Sequence, residues 1–333
     1  MDDGPARPER GPLGAGVLRT PEARFEGLAG YPFEPRYAPV RADGVEERWM
    51  HYVDAGDARA PVVLLLHGQP TWSYLYRTAV PVLVARGLRA LAPDHIGFGR
   101  SDKPADRTEH TLRRHIQWTT SLVEYLDLHD ATLVVQDWGG PIGLGALAAA
   151  PDRFARVVAT NTALHTCDPG LEGRLTWANH GAGPGRMVIE EALLDYVQYC
   201  QHTPDLVPSL FLSAGAGALA PEVARAYDAP FPDARYGAGL RQMTALIPLS
   251  PHSAGARANR STMEALAQWR RPFLTAFTDG DPATRGWEAV LQQHVPGAAG
   301  LDHRVLAGAG HFVPEERGEE LAGIVADLVR ATS

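Results

Sequence analysis

The chain has 333 residues, 45% of them hydrophobic and 21% charged, and its 31 basic and 39 acidic side chains leave a net charge of −8. This is ordinary soluble globular composition with a prior of about two domains, and the negative balance gives no support to nucleic-acid binding. No run of 18 apolar residues exists to span a membrane, and the polar, Pro/Gly-rich Met1 to Pro12 segment lacks the apolar region of a secretory signal.

Residues 1 to 24 carry Pro, Gly and Arg with little apolar periodicity and read as a flexible N-terminal tail. Strand-like runs then recur at Trp49 to Val53, Pro61 to Leu66 and Leu88 to Ala92, with a helix expected over Leu75 to Arg86. Helical spacing returns over Thr111 to Leu126. Next come the strand Thr132 to Val135, a small-residue helix from Ile142 to Ala150, and the strand Val157 to Thr160. Pro272 to Thr278 and His303 to Leu306 read as two more strands, and Leu321 to Val329 closes as a helix. Strands alternating with helices imply a mostly parallel sheet covered by helices on both faces, an α/β class.

The alternation lapses over residues 168–245, which hold helix-compatible pieces (Met187 to Tyr199, Pro221 to Tyr227) but no strong strand. This stretch reads as an inserted helical lid over the carboxyl ends of the strands, where open α/β sheets bind ligands. The core is then 25–167 with 246–333. Ser213 to Gly217, rich in glycine, lacks a preceding strand and a Lys-Ser/Thr ending; it reads as a loop rather than a phosphate cradle.

The chemistry centres on Leu133-Val-Val-Gln-Asp137-Trp-Gly-Gly140, a strand, a sharp turn and a helix start. This resembles the nucleophile elbow of α/β-hydrolases, with Asp137 where serine usually stands. The plainer alternative is a helix-capping aspartate. A carboxylate, with a reference pKa of about 3.9, is ionised near neutral pH and attacks an alkyl carbon without a base to activate it. The loop after Leu66 offers the Gln69 backbone N–H as one oxyanion-hole donor, and Trp138, just after the nucleophile, offers the other. The strand ending at Thr278 runs into Asp279 and Asp281; Asp281, further into the loop, is the choice for orienting a histidine, with a turn role left for its neighbour. His311, on the Gly-flanked loop after the last strand, completes the order nucleophile, acid, base. Most other histidines, among them His110, His115 and His294, read as surface residues.

His67-Gly-Gln-Pro-Thr-Trp-Ser-Tyr-Leu-Tyr-Arg77, Pro93-Asp-His-Ile-Gly-Phe-Gly-Arg-Ser-Asp-Lys-Pro104, Val134-Val-Gln-Asp-Trp-Gly-Gly140 and Gly308-Ala-Gly-His-Phe312 resemble the haloalkane dehalogenases. The likeness extends over most of residues 25–330 and is strongest outside the lid. It implies an α/β-hydrolase fold with a mostly parallel eight-stranded sheet and an inserted helical lid. It also implies Asp137 as nucleophile, Asp281 as acid, His311 as base and the Trp138 indole N–H as a halide donor. The related epoxide hydrolases share Asp-Trp-Gly-Gly but usually carry His where this chain has Gln136.

The family's second halide donor, a lid tryptophan, falls at Tyr196 here, with Trp177 and the Gln69 side chain as alternatives. Tyr196 and Tyr199 stand on neighbouring positions of one expected helix face, which suits the acid that an epoxide's alkoxide needs. Three functions are therefore expected in order. The first is a hydrolase of carbon–halogen bonds acting on a small apolar halogenated alkane with water; the others are an epoxide hydrolase and a non-catalytic ligand binder. No metal-ligating spacing occurs among the 13 histidines and two cysteines, so no metal and no cofactor are expected. Cys167 and Cys200 suit reduced thiols in a cytoplasmic protein.

Overall fold

The computed structural model describes residues 10–168 and 191–332. Eight strands form the main sheet: β1 (Arg36–Val40), β2 (Arg48–Ala55), β3 (Val62–Leu66), β4 (Arg89–Pro93), β5 (Ala131–Gln136), β6 (Phe154–Thr160), β7 (Phe273–Thr278) and β8 (Arg304–Leu306). Their spatial order is β1-β2-β4-β3-β5-β6-β7-β8. All pairings from β4 to β8 are parallel, while β2 runs antiparallel to both its neighbours. The central strands are buried on both faces, which explains why β3 and β5 read as unbroken apolar runs rather than as alternation.

The pleat divides those runs between two cores. Val63 and Leu65 face the layer of α1 (Ala79–Ala85) and α10 (Val313–Thr332), meeting Val80, Leu83, Leu321 and Val325. Leu64 and Leu66 face α2 (Leu112–Tyr125), α3 (Gly139–Ala149), α8 (Ala254–Leu266) and α9 (Trp287–His294), meeting Trp118, Leu122, Leu144 and Met263. Thr111 caps α2 by accepting from the Arg114 N–H, as its place before the apolar spacing suggests.

Between β6 and α8 the chain leaves the sheet for α4 (Glu191–His202), α5 (Pro208–Ala216), α6 (Pro221–Asp228) and α7 (Ala238–Ala245). Cys200, Phe231, Leu240 and Met243 from this insertion pack on Phe98, Leu112, Trp138 and Ile142 of the base. A polar clamp adds to that contact. Arg77 grips Glu315, at the start of α10, through two bonds of 2.5 and 2.6 Å, and Tyr227 of α6 donates to the same carboxylate at 2.5 Å.

Several expectations need correction. The helix expected over Leu75 to Arg86 is a 3-10 turn, Ser73–Tyr76, followed by α1, because Pro81 has no N–H to donate back to residue 77. Ser213 to Ala216 is not a loop but the end of α5. Small residues hide the helical pattern there, and they are needed because a Cβ on Gly215 would come within 2.9 Å of Phe312. The N-terminal stretch is not a free tail from residue 10 onward. Val17–Leu18 pairs with Lys103–Pro104, Arg19 bonds Asp102 at 2.6 Å, and Thr20 donates to the Pro230 carbonyl at 2.6 Å. His110 and His115 are buried, their rings stacked on one another, and His294 bonds the Met263 carbonyl. Histidine carries enough apolar ring to fill a core once one nitrogen finds a carbonyl, as His110 does with Pro104.

Glu315 and Arg77 are each only 10% exposed. Removing one partner of such a pair strands the other's charge, so Glu315→Ala should lower the unfolding free energy by about 3 kcal/mol. Urea denaturation followed by tryptophan fluorescence checks this as a lower midpoint at unchanged slope.

Candidate active site

Asp137 is the last residue before α3 apart from Trp138, which caps that helix, and it holds a left-handed backbone with φ of +51°. That conformation costs an L-residue roughly 1–2 kcal/mol, and the surroundings hold it in place. The Asp137 N–H donates to the Asn161 carbonyl at 2.9 Å, and its own carbonyl accepts from Thr162 Oγ1 at 2.6 Å and the Gly140 N–H at 2.9 Å. The turn thrusts the carboxylate above the carboxyl end of β5. There Oδ1 accepts the Gln69 backbone N–H at 2.8 Å. Gly68 is required beside it, since a Cβ at that position would lie 2.1 Å from Oδ1.

His311 stands between two carboxylates. Its Nε2 is 3.4 Å from Asp137 Oδ2, and its Nδ1 is 3.0 Å from Asp281 Oδ2. Asp281 is buried and further tied by Thr284 Oγ1 at 2.5 Å and the Ala283 N–H at 2.8 Å. Asp279, its rival, accepts the Gly308 N–H and serves the turn instead. Burial works against charge on His311, but the carboxylates of Asp281 and Asp137 outweigh it and push the imidazole up to about 10. Burial likewise opposes charge on Asp281, and the imidazolium beside it nevertheless holds this carboxyl below its ordinary range.

A cavity of about 370 Å³ opens over this cluster. Trp138 and Tyr196 line it, as do apolar walls from Phe211, Ile247, Pro248 and Phe312. Tyr196 donates its hydroxyl to Gln69 Oε1, while Gln69 Nε2 lies 3.4 Å from the Leu240 carbonyl. Burial, helped by the neighbouring Cys200 and the Asp137 charge, drives the Tyr196 phenol well above its ordinary pKa, so it stays a donor. Tyr199 is 40% exposed and packs on the edge of Phe211 outside the cavity lining, so the two tyrosines do not converge on one substrate atom. Trp177 lies outside the described residues.

Asp137, Gln69, Trp138, His311 and Tyr196 thus meet at one cavity, with Asp281 buried behind His311. Sequence reasoning missed Asn161, whose amide donates to the Gly310 and His311 carbonyls and to Thr278 Oγ1, fixing the histidine loop to β7. It also missed Gln136 as a support: its Nε2 donates to the His311 carbonyl at 3.1 Å. The polar run Thr160-Asn161-Thr162, at the end of an otherwise apolar strand, was the available signal.

The sheet order, the elbow and the trailing histidine loop together define the α/β-hydrolase class, and a family model described as the alpha/beta hydrolase fold matches residues 61–186. The chain is 42% identical to a haloalkane dehalogenase of Psychrobacter cryohalolentis, over 94% of its own length and 98% of that protein. It is 45% identical to haloalkane dehalogenase 1 of Mycobacterium bovis, over 95% and 99%. Among solved structures, the tetrameric haloalkane dehalogenase of Paraglaciecola agarilytica superposes with a TM-score of 0.80 at 31% identity, covering 95% and 98% of the two chains. The chain belongs to the haloalkane dehalogenases, hydrolases that act on carbon–halide bonds. The epoxide alternative is not favoured by these relatives, and the divergence of Tyr199 from the cavity removes its structural motive.

The raised His311 pKa carries a sign. Its folded value of about 10 lies above the unfolded 6.5, so the cluster's contribution to stability is complete below pH 6.5 and is lost as pH rises through about 10. Proton NMR should find the His311 imidazole titrating near 10, and Asp281→Asn should move that midpoint down toward 6.5. A midpoint unmoved by the substitution would separate the two residues.

Proposed function

We propose that Asp137 is the nucleophile, His311 the base, and Asp281 the residue that orients it. The observation that carries this is the placement of His311 3.4 Å from Asp137 and 3.0 Å from Asp281 under the cavity floor. Asp137 attacks the carbon bearing the halogen; a C–O bond forms, the C–halogen bond breaks with its electron pair, and halide departs. Oδ1, bonded to the Gln69 N–H, becomes the ester carbonyl oxygen. Esterification neutralises Asp137, which leaves Asp281 as the carboxylate still in contact with the imidazole among the described residues. The basicity of His311 then falls toward the ordinary histidine range, where a neutral ring is available to take a proton from water. The hydroxide so formed attacks the ester carbonyl; the developing oxyanion is met by the Gln69 and Trp138 backbone N–H groups, and the alcohol leaves with the proton from His311. In sum, alkyl halide and water give alcohol, halide and a proton.

For the departing halide, the Trp138 indole is one donor, and the Tyr196 hydroxyl becomes the other by turning its single proton from Gln69 Oε1 to the halide. A halide is a weak base that needs hydrogen bonds but no proton, and a phenol held well above its ordinary pKa supplies the one and withholds the other. The insertion of residues 168–245, through its helices α4 to α7, acts as the lid, and the small apolar substrate enters beneath it. Cys167 and Cys200 are buried thiols not joined to each other, which suits a cytoplasmic site of action.

In a His311→Gln variant the first half-reaction should proceed and the second stall. Mass spectrometry after incubation with 1-bromobutane should find one butyl group on the peptide bearing Asp137, with one equivalent of bromide released. Absence of the adduct, with bromide turnover retained, would remove Asp137 from the nucleophile's place. Tyr196→Phe should weaken bromide binding about tenfold, the order of one hydrogen bond to a charged acceptor, measured by quenching of tryptophan fluorescence.

A further inference from the structure

The first turn of α10 follows the histidine loop directly and carries three charged side chains in a row, Glu315, Glu316 and Arg317. Its backbone leaves the helical dihedrals at Arg317, and the three take separate tasks. Glu315 accepts from Arg77 and Tyr227, and Arg317 donates to the Ala307 carbonyl at 3.1 Å. Glu316 turns to the loop itself. Both its oxygens accept the Gly310 N–H, Oε1 at 3.0 Å and Oε2 at 2.9 Å. A charged acceptor makes such a bond roughly twice as strong as a neutral one.

That grip matters because Gly310 immediately precedes His311. The carbonyls of Gly310 and His311 are held from the strand ends, by Thr278, Asn161 and Gln136. Glu316 takes the N–H from the side of α10, so Gly310 is anchored through both its backbone polar groups. The lid closes the third side: a Cβ on Gly310 would lie 2.2 Å from the Gly215 carbonyl of α5. Glu316 is half-buried, and burial raises its carboxyl above the ordinary range against the pull of the Gly310 N–H, Arg317 and the His311 cation. The charged groups around the imidazole are then Asp137 from the elbow, Asp281 from the loop after β7, and Glu316 with Arg317 from α10.

We propose that Glu316 is a positioning residue of the second half-reaction, holding His311 over the Asp137 ester by its grip on Gly310 and keeping a negative charge near the imidazole. The proposal rests on Asp137 as nucleophile and His311 as base. Alkylation makes no demand on Glu316, since an ionised carboxylate attacks without a base. Hydrolysis does. Once Asp137 is esterified, its attraction for the imidazole is gone, and the ring is held by Asp281 and by its own loop. The water oxygen bonds the ester carbonyl carbon as its proton moves to His311 Nε2, and that proton leaves with the alcohol. A small misplacement of the ring slows this transfer.

The test uses Glu316→Gln, which keeps an acceptor for Gly310 without the charge, and Glu316→Ala, which removes both. Single-turnover mixing with 1-bromobutane, followed by mass spectrometry, times formation and loss of the butyl ester on the Asp137 peptide separately. Glu316→Ala should form the ester at the wild-type rate and lose it about tenfold more slowly, the order of one hydrogen bond to a charged acceptor. Glu316→Gln should fall between the two. In both variants proton NMR should find the His311 midpoint below that of the wild type, because a nearby negative charge favours the cation. Ester loss at the wild-type rate in Glu316→Ala, ester formation slowed in equal measure, or a His311 midpoint that neither variant moves overturns the proposal. Failure of the parent reading is distinct, since His311→Gln would then collect no butyl ester at Asp137. An ester collected there, with hydrolysis indifferent to Glu316, rejects the positioning role alone.

Discussion

Everything at the reacting end depends on the strained turn at Asp137. A left-handed aspartate does not hold itself in place, and here the Asn161 carbonyl, the Thr162 hydroxyl and the Gly140 N–H do so through its backbone, leaving the carboxylate to the cavity. Because those partners come from the end of β6 and the start of α3, the aim of the Asp137 carboxylate is set by the stacking of strands and helix rather than by its own rotamer. The same strand end sends Asn161 to the histidine loop. One polar residue therefore ties Asp137 and His311 into a common frame, and the 3.4 Å separation between them is inherited from the sheet.

Two negative groups flanking one imidazole give the site its electrical character. In the resting state the His311 cation is shared, and neither carboxylate is stranded. On the proposed mechanism, alkylation makes the arrangement asymmetric, with charge left on the Asp281 side, and a ring that was a partner becomes a base. The buried position of Asp281, secured by Thr284 and Ala283, keeps that remaining anion in place through both halves of the reaction.

The central strands and the elbow were legible because burial on both faces and a Gly-bearing turn leave strong marks in composition. β3, β5, β6 and β7 fall within a few residues of their apolar runs. β1 left little mark: it is an edge strand with a proline and a mixed burial pattern, and antiparallel pairing to β2 alone makes it a strand. α8 is amphipathic but rich in Ala, Asn and Arg, so its apolar stripe is thin. The end of α5, Ser213 to Ala216, reads as a loop because its glycine meets a demand made by Phe312, far away in sequence. At the site, Asp137, Asp281 and His311 could be named from spacing after strand ends, and Tyr196 from the resemblance, which places the family's lid tryptophan there. Asn161 and Thr162 could not, since what they do is decided by which carbonyl or hydroxyl the fold brings opposite them. His110 and His115 show the converse, polar letters that the fold stacks into its interior.

The apolar walls around Asp137 have a consequence for the flow of charge. Displacement of a halide by a carboxylate creates no new ion; it moves one negative charge from oxygen to halogen and spreads it thinly along the way. Water grips a compact anion more firmly than a diffuse one, so a wet pocket would hold the reactant back more than the activated complex. Phe211, Ile247, Pro248 and Phe312 loosen that grip, with Gln69 bonded to the carboxylate at the charge's origin and, on the proposed mechanism, Trp138 with Tyr196 at its destination. The cavity works as a short conduit for an electron pair, insulated along its length and earthed at both terminals.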